Sequence, residues 1–182
     1  MSGSVLTNQA DTFLISNTPF TDNKCVAKSN QLILPGQKVE FKYVGISYEP
    51  ELNYNTNNTP GIAPVLFSYW IQSGSSRIGI FYRVRNPNGF QVVFATSGLV
   101  ALINNGQGVS PISNPEAIYG IAINPDNIIE MRGLGGNNPS GQTNTPILFS
   151  LPSPFPNDLP LEFYVATNSA LIGFKDCVIK DY

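Results

Sequence analysis

Fifteen prolines and sixteen glycines are spread along this 182-residue chain, so no stretch is long enough and regular enough for a sustained helix. Between these breaks lie short runs rich in Ile, Val, Phe, Tyr and Leu, the composition that suits a pleated, half-buried surface. No segment shows a helical period with a cap. Ser113–Ile118 offers one short helical turn at most, because Pro115 fits a first turn. The reading is therefore all-β: one domain over 1–182, folded as a sandwich of two packed antiparallel sheets. Strands are expected at Thr12–Ser16, Gln31–Leu34, Lys38–Ile46, Ala63–Gln72, Arg77–Arg85, Gln91–Ala95, Leu99–Ile103, Ile118–Ala122, Asn127–Arg132, Ile147–Leu151, Leu161–Ala166 and Leu171–Ile179.

Three junctions carry turn chemistry. Leu34-Pro35-Gly36-Gln37 places Pro and Gly where a type II turn wants them. Ser73-Gly74-Ser75-Ser76 and Asn86-Pro87-Asn88-Gly89 each join two apolar runs, and Gly and Asn-Gly supply the positive φ of tight hairpins. Residues 63–95 thus read as a three-stranded meander. Long loops are expected at 50–60, 104–115, 133–146 and 152–160. The glycine-rich Gly133–Gly141 lacks the Lys-Ser/Thr and the helix that a phosphate-binding loop requires, and reads as a flexible loop.

Charge narrows the function. Only 12 % of residues are charged, about half the usual share, and the net charge is −2. No broad basic footprint exists, so nucleic acid is not an expected partner. There is no histidine, which excludes His-based triads, His-ligated zinc and imidazole switches. The carboxylate pairs Glu49/Glu51, Asp126/Glu130 and Asp176/Asp181 lie in no catalytic motif, so the expectation is a protein that is not an enzyme and uses no cofactor. Asn124-Pro125-Asp126-Asn127 lacks the dense ligand spacing of a calcium loop and reads as a turn. The two cysteines, Cys25 and Cys177, are read either as a disulfide tying the ends together or as two buried thiols. No leader and no apolar run of membrane-spanning length is seen. The expected chain is soluble, cytoplasmic or released by a non-classical route.

One stretch breaks the charge pattern. Residues 52–115 hold no carboxylate and no lysine, only Arg77, Arg83 and Arg85. In a strand, Ile78, Ile80, Tyr82 and Val84 share one face, and Arg77, Gly79, Phe81, Arg83 and Arg85 the other. The first can pack in a core. The second is a small cationic surface with an aromatic ring, suited to phosphate-bearing head groups or carboxylated sugars. It can equally protect a sheet edge. Trp70 shares a face with Ser68 and Gln72, and reads as a half-exposed ring that could meet lipid or sugar, or as cross-strand packing.

Gly61–Trp70, a short turn and Arg77–Arg85 resemble the central hairpin of the actinoporin-like and aegerolysin-like cytolysins. Leu34-Pro35-Gly36-Gln37 and Ser169–Phe174 are similar to their Pro-Gly turn and closing strand. The resemblance implies a β-sandwich that binds lipid head groups, with Tyr82, Arg83, Arg85 and Phe90 at or near the membrane-facing loop. Tandem tryptophans are missing from Phe90-Gln91-Val92-Val93-Phe94, and Asp11–Phe20 reads as strand and turn in place of an amphipathic helix. The expectation is therefore recognition of a membrane lipid or glycan through Trp70, Tyr82, Arg83, Arg85 and Phe90, with a homo-oligomer or a separate pore-forming partner. Two alternatives stand beside it: a capsid-type jelly-roll shell subunit, and a soluble lectin or adhesion module.

Overall fold

Alternate side chains such as Val39, Phe41 and Tyr43, or Phe67, Tyr69 and Ile71, point into one apolar layer. The computed structural model describes residues 7–8, 11–15, 25–45, 65–86, 89–96, 100–104, 114–135, 141, 143–157, 159–167 and 172–182, with side chains described except at 7–15, 25–26, 45, 65–66, 83–91, 93, 95, 100–104 and 172. Among these the chain is all strand and turn: β1 (Thr7–Asn8), β2 (Asp11–Ile15), β3 (Cys25–Ile33), β4 (Gln37–Gly45), β5 (Val65–Ser73), β6 (Ser76–Asn86), β7 (Gly89–Thr96), β8 (Val100–Asn104), β9 (Ile118–Ile123), β10 (Ile128–Arg132), β11 (Ile147–Pro152), β12 (Leu161–Thr167) and β13 (Ile172–Asp181). They form an eight-stranded sheet ordered β1-β2-β3-β12-β5-β6-β7-β8 and a five-stranded sheet ordered β11-β10-β9-β4-β13. Every pairing is antiparallel. No helix among the described residues is long and apolar enough to cross a membrane.

The two sheets bury a shared aromatic core. Phe67, Tyr69, Tyr82, Phe94 and Phe163 from the larger sheet meet Phe41, Tyr43, Tyr119 and Phe149 from the smaller. Phe41 packs edge-on to Tyr69 at 5.1 Å, Phe67 edge-on to Tyr119 at 5.3 Å, and Phe94 stacks on Phe149 at 4.2 Å between ring centroids. Such pairs add about 0.5–1.5 kcal/mol each beyond their buried area.

The expected turns are present where their positive φ can be read. Gln37 N–H donates to Leu34 O at 3.0 Å, and Gly36 has φ +81°. Ser73 pairs with Ser76 around Gly74, at φ +57°. Asn86 pairs with Gly89, closing the β5–β6–β7 meander; the two residues between lie outside the described residues. Asn124-Pro125-Asp126-Asn127 is a turn, with Asn124 Oδ1 accepting from Asp126 N–H and Ile128 N–H and Asn127 at φ +57°.

Three expectations need correction. The helical turn near Pro115 is a hydrogen-bonded turn, Ala117 N–H to Asn114 O at 3.0 Å, leading straight into β9. β3 begins at Cys25, six residues before the expected start, because β12 pairs along it although Ala27–Asn30 is mostly polar. The glycine-rich segment does not begin as a loose loop. Gly133 and Leu134 are buried, and two tyrosine hydroxyls bind this backbone: Tyr69 donates to Arg132 O at 2.7 Å and Tyr82 to Leu134 O at 2.8 Å. A side chain at 133 would strike both hydroxyls, so glycine is required there by the close approach.

Candidate functional site

Of the ligand residues expected from sequence, Tyr82 and Trp70 have described side chains. Tyr82 and Trp70 sit on opposite faces of the larger sheet. Tyr82 is fully buried between the sheets, stacked on Phe67 at 4.5 Å. It is a core anchor that no ligand at the surface can touch, as the alternation with Ile78 and Ile80 requires. Trp70 points to the outer face, yet it is also fully buried. Its indole lies parallel to Tyr164, 5.0 Å away and 3° from coplanar, and its N–H donates to Gln72 Oε1 at 3.1 Å. The half-exposed ring is therefore a packed one. Gly79 lies opposite Trp70, where a Cβ would collide with Trp70 Cβ and the Tyr69 carbonyl.

Around that stack runs a polar chain. Tyr164 O–H donates to Glu162 Oε2 and Lys28 Nζ to Glu162 Oε1, both at 2.8 Å. Burial, with the carboxylate beside it, pushes the Tyr164 phenol up to about 12, and the Lys28 hydrogen bond lowers Glu162. Arg83 and Arg85 lie on β6, Arg83 paired with Gln91, and Phe90 pairs with Val84. The side chains of all three lie outside the described residues. So does that of Cys25, whose backbone pairs with Thr167; Cys177 is buried on β13 in the other sheet.

An open concave site among the described residues lies on the outer face of the five-stranded sheet. Lys38-Val39-Glu40-Phe41-Lys42-Tyr43 alternates strictly: Val39, Phe41 and Tyr43 fill the core, which forces Lys38, Glu40 and Lys42 outward. β10 repeats the pattern, with Ile129 and Met131 inside and Glu130 and Arg132 outside. Between them β9 turns Tyr119, Ile121 and Ile123 inward and leaves Gly120 and Ala122 on the outer face, with Ile118 at its start opposite Lys42. Register aligns Lys38, Ala122 and Glu130 in one row and Glu40, Gly120 and Arg132 in the next. Two charged strands thus flank a floor of the two smallest side chains. A cavity of about 220 Å³ results, rimmed also by Ile147 and Tyr182. Gly120 is required there, because a Cβ would strike the Val39 carbonyl.

Charges at the four corners alternate in sign, and most groups are held in place. Glu40 takes Lys180 at 2.5 Å and Lys38 at 3.9 Å. Glu130 accepts from Asn124 Nδ2 at 3.2 Å and from the Tyr182 hydroxyl at 2.9 Å. The Glu130 hydrogen bond raises the Tyr182 phenol. Arg132 donates to Thr145 O at 2.7 Å. Tyr182 is tied by its N–H to Gly36 O at 2.8 Å, and its ring, 5.7 Å from Lys38 Nζ, remains half-exposed. Beyond Glu40 on the same face, Lys42 and Lys175 clasp Glu116 at 2.6 and 2.8 Å, and Lys42 also meets Asp176 at 3.3 Å. Hydrogen bonds from Lys175 and then Lys42 hold the Glu116 carboxyl down at about 2.

The two strict alternations, Lys38–Lys42 and Glu130–Arg132, were the available signal for this trough. They are legible in sequence as charged outer faces, but nothing local says that the two strands flank the bare β9.

No family model matches the chain, and no curated protein matches it. Solved structures that it resembles include the β-glucanase of Bacillus licheniformis, at 14% identity over 89% of this chain and 68% of that one, TM-score 0.45. Another is a legume lectin-like domain from Entamoeba histolytica, at 11% identity over 100% of this chain and 88% of that one, TM-score 0.43. Neither is an actinoporin-like or aegerolysin-like protein, and likenesses this distant decide nothing about the site.

Proposed function

We propose that this chain is a non-enzymatic carbohydrate-binding domain whose ligand lies in the trough over β9. The observation that carries this reading is the alternation of donors and acceptors around an uncharged, side-chain-poor floor. A sugar hydroxyl both donates and accepts, so neighbouring hydroxyls are best met by cationic donors and carboxylate acceptors side by side. Lys38 and Arg132 supply the first, Glu40 and Glu130 the second. The half-exposed Tyr182 ring at the rim offers an apolar face to the C–H side of a pyranose. A phosphate head group would want unopposed cations, whereas Lys38 and Lys180 here both face Glu40. Both carboxylates are already hydrogen-bonded or ion-paired, which favours recognition over acid–base turnover.

The test is a glycan array probed with labelled protein, alongside vesicles of mixed neutral and anionic lipid. Retention on a defined set of glycans, competed by the free sugar and absent on bare vesicles, is the expected result. Sedimentation with vesicles and indifference to every glycan would overturn it in favour of lipid recognition.

A further inference from the structure

The two edges of the five-stranded sheet are built differently. β13 is blunted: it carries Lys175, Asp176, Lys180 and Asp181, and its pairing with β4 is broken by a bulge at which Asp176 takes φ +54°. Charges and bulges are the usual means of stopping a sheet from adding a foreign strand. β11 carries no charge, and its own bulge, a shift in its pairing with β10 between Met131 and Arg132, lies at Leu148 and leaves Phe149–Pro152 in regular register. Ile147-Leu148-Phe149-Ser150-Leu151-Pro152 contains no charge, and no charged residue occurs from 133 to 157. Its outer row of backbone groups faces no strand among the described residues. Ile147 is 46% exposed, with Ser150 and Pro152 also exposed.

The strand is held ready for pairing. Arg132 and Gly133 donate to Thr145 O and Pro146 O, and the Thr145 hydroxyl donates to Ile118 O, so the entry to β11 is fastened to β9 and β10. Phe149 anchors it from inside by stacking on Phe94. Pro146 and Pro152 limit any added ladder to the residues between them, because proline offers no N–H.

We propose that β11 pairs antiparallel with β11 of a second copy of this chain, joining the two five-stranded sheets into one ten-stranded sheet across a two-fold axis. A neutral edge is what permits this occupant: a charged edge repels its own copy, whereas this one meets itself with no like charges opposed. The contact is isologous, and the blunted β13 edges prevent further growth, so assembly closes at a dimer. If the trough is the carbohydrate site, the dimer sets two troughs on one continuous face. Five strand spacings of about 4.8 Å put them about 24 Å apart, close enough for one branched or surface-borne glycan to span both.

Sedimentation velocity over a hundredfold concentration range, with no sugar present, tests this apart from the function. A species of twice the chain mass is expected. Ile147→Lys with Ser150→Lys should weaken it at least tenfold, while Val178→Lys on the blunted edge should not. Lys at 150 lies opposite Glu130, so the fold is expected to survive. A monomer throughout, or a dimer indifferent to the double variant, overturns the proposal. Should the double variant fail to fold, amide exchange of the unaltered chain decides: protection within 147–151 must rise with protein concentration, and constant protection overturns it.

Discussion

Replacing Tyr82 by Phe separates a core anchor from a ligand residue. The ring and its 4.5 Å stack on Phe67 survive; only the hydroxyl goes, and with it the 2.8 Å bond to Leu134 O in a fully buried site. The stranded carbonyl costs about 1–3 kcal/mol. For a domain of this size that lowers Tm by roughly 2–4 °C per kcal/mol. Tyr82→Ala also removes the ring from its contacts with Phe67 and Tyr119, at 4.5 and 5.6 Å, and should cost about 3–5 kcal/mol for the lost burial and the cavity together. Urea titration by far-UV circular dichroism measures both losses, and glycan titration of the Phe variant should give an unchanged Kd. Full stability in Tyr82→Phe together with weakened ligand binding would refute the placement of Tyr82 between the sheets.

Two further predictions follow from the outer faces. Gly79→Ala pushes a Cβ into Trp70 and the Tyr69 carbonyl, and should destabilise by about 1–3 kcal/mol in the same titration; an unchanged midpoint would contradict the β5–β6 register. Glu116 has a folded pKa of about 2 against an ordinary 4.5, so its contribution is complete above pH 4.5 and disappears as pH falls towards 2. Thermal melts of Glu116→Gln should therefore lie below the parent at neutral pH and converge with it in acid, and added salt should narrow the neutral-pH gap. A gap that is constant from neutral pH to pH 2 would argue against the Lys42–Glu116–Lys175 clasp.

The all-β sandwich was legible in the sequence because period-two alternation and turn residues are local signals. The β5–β6–β7 meander followed from two four-residue junctions, and Pro35-Gly36 announced its own positive φ. β3 was only half visible, since Ala27-Lys28-Ser29-Asn30 has no apolar alternation and is a strand because β12 pairs with it. The site was not legible. The unopposed arginines of 77–85 stand out because charge asymmetry shows along a chain, and Trp70 because it shares a strand face with Ser68 and Gln72. Burial decides between the two readings of Trp70 in favour of cross-strand packing: Tyr164, ninety-four positions away, supplies the face on which it stacks. The trough joins β4, β9, β10 and Tyr182, which pairing alone brings together. Its defining feature is the shortness of Gly120 and Ala122, and small residues in a strand carry no signal until their neighbours are known.

Ala122 offers the most direct test of the trough. It points outward from the floor at 8% exposure, takes no part in the inter-sheet core, and hydrogen-bonds to no ligand-binding side chain. Ala122→Leu should fill the space between Lys38 and Glu130 while leaving Tm close to that of the parent. Isothermal titration with the strongest array glycan is the measurement. The account predicts saturable binding by the parent and at least a tenfold weaker Kd for the folded Leu variant. Equal affinity in the two proteins would place the ligand somewhere other than over β9.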